Sequence, residues 1–308
     1  MRRWHVNTGL SAVQGAGALA LLLFLAFLLV VLFRHDEAPR SPSVFERSVQ
    51  KLQLLQTMSR DLLASAEAEK SAVMAETDEL SQALATQALQ ATQQVETARR
   101  GLESLLEGDR RETQLFGEFQ QCWTQLQAID REVLSLAVQN TNLKALRLSI
   151  LPAAEALRSL DEALNQLMDR VASSAEALHL TRLAATVATA AFKLYILQTP
   201  HILESSVTHM EEIEAVMHRL DLQITTALHS LQMLLDEPDR AVLETARTAY
   251  HTLQQLNADI LALSRQNSTI QAYALSLGQK RKMTAQCQAV LTALQEHVQQ
   301  QMTFKATK

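Results

Sequence analysis

Chain breakers are scarce in this sequence: 7 glycines and 5 prolines among 308 residues. Globular chains usually carry about 12% of the two combined, so turns here are few and most residues must lie in long uninterrupted elements. Aromatic residues make up only 4% of the chain. With Ala, Leu, Gln, Glu and Thr filling the remainder, the composition suits helices and all but rules out a sheet-based enzyme. The 28 basic and 33 acidic residues leave a net charge of −5, with no long run of Lys and Arg, so the electrostatic footprint of a nucleic-acid binder is missing. Two cysteines, Cys122 and Cys287, are too few for a disulfide framework and have no zinc-type CxxC spacing. They read as buried free thiols in different parts of the fold. There is no G-x-S-x-G, HExxH or phosphate-cradling glycine loop. No enzyme, cofactor or metal site is therefore expected. His201, His209, His218 and His229 never recur at i, i+4 and read as solvated helix residues.

One long apolar run is present, from Ala16 to Phe33, just long enough to span a bilayer as a helix. It ends in Val31, Leu32, Phe33 and Arg34 without the small residues of a cleavage site, so an uncleaved anchor is expected. Arg2 and Arg3 precede the run, whereas Asp36 and Glu37 offset Arg34 and Arg40 after it. The positive-inside rule then places residues 1–15 in the cytoplasm, and everything after the linker 34–42 outside a cytoplasmic (inner) membrane crossed once.

Beyond the linker the spacing predicts a succession of amphipathic helices. Ser43 and Glu46 form a capping box for the first, whose stripe runs through 52, 55, 59, 62, 66 and 73 to about Ala75. Thr77 caps a second that closes at Gly108, and Asp109 with Glu112 opens a third carrying Phe116, Phe119 and Trp123 to about Ile150. Those aromatics, at helical spacing, read as core. Pro152 to Gln198 contains no breaker and predicts one very long fourth helix. Thr199-Pro200 and Glu237-Pro238-Asp239 start the fifth and sixth, Gly278 ends the sixth, and a last helix follows from Gln279.

The chain also repeats itself. VLSLAVQNTNLKALRLS from Val133 aligns with ILALSRQNSTIQAYALS from Ile260, Glu107-Gly108-Asp109-Arg110 matches Glu237-Pro238-Asp239-Arg240, and Lys70 falls in register with Lys193. The expected fold is all-α: a transmembrane helix, then two stacked antiparallel four-helix bundles sharing the long fourth helix. The first bundle would span 43–175, the second 176–302, with a tail at 303–308.

Several local motifs add a resemblance. Glu69-Lys70 with Val73-Met74-Ala75, Phe119-Gln120-Gln121-Cys122-Trp123, and Gln139-Asn140-Thr141-Asn142 followed by Ala145, Pro152 and Leu160 resemble the ligand-binding domains of methyl-accepting chemotaxis proteins, particularly the helical bimodular variety. The resemblance covers about residues 43–302. It implies a chemoreceptor-like sensor acting in signal transduction, homodimers, and ligands such as carboxylic or amino acids. The sequence departs from the chemoreceptor plan in showing neither a second span nor a cytoplasmic signalling hairpin, so signalling through a partner membrane receptor is expected.

Polar residues that interrupt apolar stripes mark a candidate site. Asn140 continues the face of Val133 and Ala137, and Asn267 that of Ile260 and Ser264. If the helices alternate in direction, Lys70 and Arg158 meet the Asn140 layer, with Asn142 and Lys144 beside it. The matching second layer holds Lys193, Asn267 and Arg281 or Lys282. Cations with amides between helices suit a small carboxylate. The resulting expectation is a membrane-anchored, extracytoplasmic module that binds a small organic anion and reports to a partner protein. Its rival is a structural helical scaffold with no small ligand.

Overall fold

The computed structural model describes residues 44–106 and 108–306, and every regular element among them is helical. The chain forms two compact units, Met1–Gln50 and Lys51–Lys308; of the first, residues 44–50 are described and open the first helix. The apolar run 16–33, the segments flanking it and Ser43, expected to cap the first helix, lie outside the described residues.

Helices α1 (Val44–Val73), α2 (Asp78–Glu103) and α3 (Arg110–Ala137) start where the sequence signals place them, but α2 ends at Glu103 with Ser104 as its C-cap, short of the expected Gly108. Thr77 Oγ1 accepts from the Leu80 N–H at 3.1 Å, and Asp109 Oδ1 accepts from the N–H groups of Arg111 and Glu112 at 2.8 and 2.9 Å. Each cap satisfies amides that the first helical turn leaves without partners. Gly108 has a φ of 64°, where a Cβ would be strained.

From Val138 onward the chain departs from expectation. Asn140 and Asn267 adopt left-handed φ values of 50° and 52°, ending α3 and α9 (Glu237–Gln266) where unbroken helices were predicted. Asparagine is one of the few non-glycine residues that tolerate this conformation. Each is followed by an eight-residue helix, α4 (Thr141–Leu148) or α10 (Ser268–Leu275). Then comes a five-residue π turn, Ser149–Ala153 or Ser276–Lys280, and a continuing helix, α5 (Ala154–Val171) or α11 (Arg281–Ala306). The long fourth helix expected over 152–198 does not exist. A turn at 172–176 separates α5 from α6 (Ala177–Ile196), built without Gly or Pro around Ser173 and Ser174; serine competes for backbone hydrogen bonds and favours turns over helix interiors. Pro200 lies inside the short α7 (Gln198–Leu203), and α8 (Val207–Leu234) starts only after Ser206, which caps it.

The buried apolar side chains form two large cores. The first joins Leu55, Met58 and Leu62 of α1, Val95 and Leu102 of α2, Phe119 and Trp123 of α3, and Leu291 and Leu294 of α11. The second joins α5 (Leu160, Leu164), α6 (Val187, Leu194), α8 (Ile224, Leu231) and α9 (Leu243, Leu253). Each of these side chains contributes roughly 1.5–3 kcal/mol by leaving water. The boundary expected between 175 and 176 is not the boundary between cores, because α5 and α6 on either side of it pack together. The first core takes its fourth helix from the C-terminal α11 instead. The asparagine kinks and π turns bend the chain without reversing it, so α3 runs on into α5 and out of the first core. By length and composition Ala177–Leu203 is apolar enough to cross a membrane, yet Leu180, Ala184, Val187, Ala191 and Leu194 spend that apolar stripe on the second core.

The two kinked segments meet in a reciprocal hydrogen-bond set. Thr141 N–H donates to Ser268 Oγ at 3.1 Å, and Ser268 N–H donates to Thr141 Oγ1 at 3.0 Å. Asn142 Nδ2 donates to Asn267 Oδ1 at 2.9 Å and to the Ile202 carbonyl at 2.7 Å, while its Oδ1 accepts from the Thr269 N–H.

Candidate functional site

The expected layers of cations and amides do not assemble. Asn140 is buried and donates to Asp78 Oδ1 at 3.2 Å, while Lys144 pairs with Asp78 Oδ2 at 3.2 Å. Asn142 and Asn267 are tied into the junction, and Asn267 Nδ2 also reaches the Glu204 carbonyl at 3.3 Å. Arg158 is exposed on α5, paired with Glu155 and Glu162, at the edge of a different cavity that Asp161 and Phe192 also line. Lys193 and Lys282 are exposed. Of the nine candidates, Lys70 and Arg281 share a cavity.

That cavity, of about 200 Å³, lies beside the first core between the end of α1 and the start of α11. Its inner wall is a buried charge cluster. Lys280 Nζ pairs with Asp130 Oδ1 of α3 and lies 2.9 Å from Glu69 Oε2 of α1. Glu69 is 0% exposed and Lys280 3%. Glu69 Oε2 is held by this ion pair alone, whereas Glu69 Oε1, Thr284 Oγ1 and Gln288 Oε1 have no hydrogen-bond partner among the described residues. Unsatisfied buried acceptors are costly, and Glu69, Thr284 and Gln288, which carry them, are among the residues around the cavity. Asp130 is supported from the other side by Thr92 Oγ1, which in turn meets Ser65 Oγ at 2.9 Å.

Sequence reasoning missed this cluster by one residue. Lys280, Arg281 and Lys282 are consecutive, and the π turn Ser276–Lys280 holds an extra residue per turn, rotating Lys280 inward and leaving Arg281 and Lys282 exposed. Glu69 and Asp130 were open to detection: each interrupts an apolar stripe, Leu55, Leu62, Val73 and Trp123, Leu126, Val133. That is the criterion that singled out Asn140.

Cys122 and Cys287 are not free thiols in separate bundles. They form a disulfide, with Cα atoms 5.6 Å apart, that joins α3 to α11 within the first core. His201 is not solvated either: it is fully buried, with Nδ1 2.9 Å from Ser264 Oγ and Nε2 2.9 Å from Glu214 Oε1. Arg265, which chelates Glu214, and His201 hold the Glu214 carboxyl below the usual carboxylate range. His209, His218 and His229 are exposed as expected. Phe116, Phe119 and Trp123 lie in the core, and Trp123 Nε1 donates to Glu96 Oε2 at 3.2 Å.

Residues 17–186 match the family model of the four helix bundle sensory module for signal transduction. The chain belongs to this family, a sensory rather than a catalytic one. No curated protein matches it.

Proposed function

We propose that the protein is a membrane-anchored, extracytoplasmic sensor whose two four-helix bundles stack end to end. It binds a small amino acid or related organic acid at the Glu69–Lys280–Arg281 cavity and reports to a partner receptor or a second copy of itself. The cavity carries the reading. Lys70 and Arg281 at its rim supply charge for a carboxylate, and Oε1 of buried Glu69, with Gln288 Oε1, supplies acceptors for an ammonium. Charge-assisted bonds of both kinds orient a zwitterion. A pure dicarboxylate would bring a second negative charge against Glu69. The volume is below that of drug-sized pockets, as suits a small metabolite.

The apolar run 16–33 supports the anchor, and the family match begins inside it. The disulfide supports an oxidising compartment, because such bonds are rare where thiols are kept reduced. A thermal-shift screen of amino acids and small organic acids tests the ligand. At least one amino acid should raise Tm, and Arg281→Ala and Glu69→Gln should each weaken its binding by about tenfold or more. A parent protein that responds to none of them would be the helical scaffold instead.

A further inference from the structure

A second cavity, of about 310 Å³, opens between α8 and α9 in the other core. Its floor is apolar: Leu194, Met217 and Leu253 line it, and all three are buried. Tyr250 and Asp221 form one wall. The Tyr250 hydroxyl and Gln254 Nε2 (2.9 Å) both donate to Asp221 Oδ1. Burial and the adjacent carboxylate push the phenol's pKa well up, so it stays a donor. Both donors are neutral, and among the described residues no Lys or Arg pairs with Asp221. Glu214 at the other end differs, since Arg265 neutralises it. The one basic side chain in the lining is the exposed His218.

Asp221 is half-buried and held by neutral donors beside an apolar floor, so its negative charge is available to a cation that enters the cavity. A hard divalent ion would need six or more oxygen ligands, and no cluster of metal-binding side chains occurs among the described residues. An alkylammonium needs one counter-charge and apolar surface for its carbons, with an aromatic wall adding cation–π attraction. We propose that this cavity is a second binding site, for a small organic cation, with Asp221 as counter-charge and Leu194, Met217 and Leu253 receiving the alkyl part. It differs from the amino-acid cavity in place and in ligand charge, and either site can exist without the other.

Tetramethylammonium, choline and putrescine chlorides are the probes, titrated calorimetrically into the full chain against sodium chloride of equal ionic strength. At least one should bind saturably. Asp221→Asn keeps an acceptor for Tyr250 and Gln254 while removing the charge, and should weaken binding by about tenfold or more. Ala258→Trp, at the exposed rim, should block entry without touching Asp221 or the core. Glu69→Gln and Arg281→Ala should leave the cation's affinity unchanged, which separates this site from the amino-acid one. The proposal is overturned if none of the three probes binds, or if one binds Asp221→Asn and Ala258→Trp as tightly as the parent.

Discussion

Removing the Cys122–Cys287 bond should destabilise the protein substantially. The two residues are 165 apart in sequence, and in the chain-entropy account a link of that length restricts the unfolded ensemble by about 5 kcal/mol. Native-state relaxation and residual unfolded structure lower this, so a loss of roughly 2–5 kcal/mol is expected. At about 2–4 °C per kcal/mol for a domain of this size, Tm should fall by roughly 5–15 °C. Both cysteines are buried, so mild reductant will reach the bond poorly and substitution is the cleaner perturbation. Cys122→Ala, Cys287→Ala and the double variant would be melted by circular dichroism or calorimetry. Each single variant already loses the whole bond, so the double should cost no more than about 1 kcal/mol beyond either single, a strongly non-additive cycle. Thiol titration of the denatured, unreduced parent should find no free thiol. Two free thiols per chain, or single losses that simply add, would refute the reasoning.

Three further outcomes follow from the same structure. Lys280→Met strands two buried carboxylates and should cost about 3–5 kcal/mol in denaturant unfolding, largely recovered when Glu69→Gln and Asp130→Asn are added. Asn140→Ala should cost at least about 1–2 kcal/mol because of the left-handed φ, with Asn140→Gly recovering part of it. Glu96 is held down to about 2, chiefly by its hydrogen bond to Arg99. Its folded-state pKa lies below the unfolded one, so its contribution is complete above about pH 4.5 and fades as pH falls toward 2. Glu96→Gln should flatten that acid limb of a stability–pH profile.

What could be read from sequence was what local chemistry decides alone. Thr77 and Asp109 mark their helix starts because each supplies an acceptor to the first-turn amides, whereas Gly108, for all its left-handed φ, lies in the turn beyond a helix that has already ended at Glu103. The Phe116–Phe119–Trp123 stripe showed its core face by spacing. The site was less legible. A left-handed asparagine can be distinguished from a helical one only when its neighbours force it, and a π turn has no residue signature, so the one-residue rotation that buries Lys280 was invisible. The 172–176 reversal has no Gly or Pro, and tertiary packing of two apolar faces on one core decides it. The disulfide pairs residues from distant helices, which no spacing rule connects.

The repeat, read first as two bundles in tandem, has another meaning in the folded chain. Thr141 and Ser268, 127 residues apart, bond reciprocally at the point where the two copies of the kinked segment meet. Each copy lies in the last run of a longer unit: α1, α2 and the run α3–α4–α5, then α6–α7, α8 and the run α9–α10–α11. Each unit places three helices in one core and sends its last into the other, since α5 joins the second core and α11 the first. The units have exchanged their fourth helices because asparagine and π turn carry the chain forward where a hairpin would have turned it back. The chain therefore passes from α9 in the second core through α10 into α11 in the first. There Cys287 ties α11 to α3 at Cys122, and α3 continues through α4 into α5, back in the second core. The disulfide and the hydrogen bonds of Thr141, Asn142, Asn267 and Ser268 thus join the two through-running strings of helices at two places, together with the apolar contacts of Val133, Ala137 and Ala272, and the connection between the cores runs through side chains as well as through the chain itself.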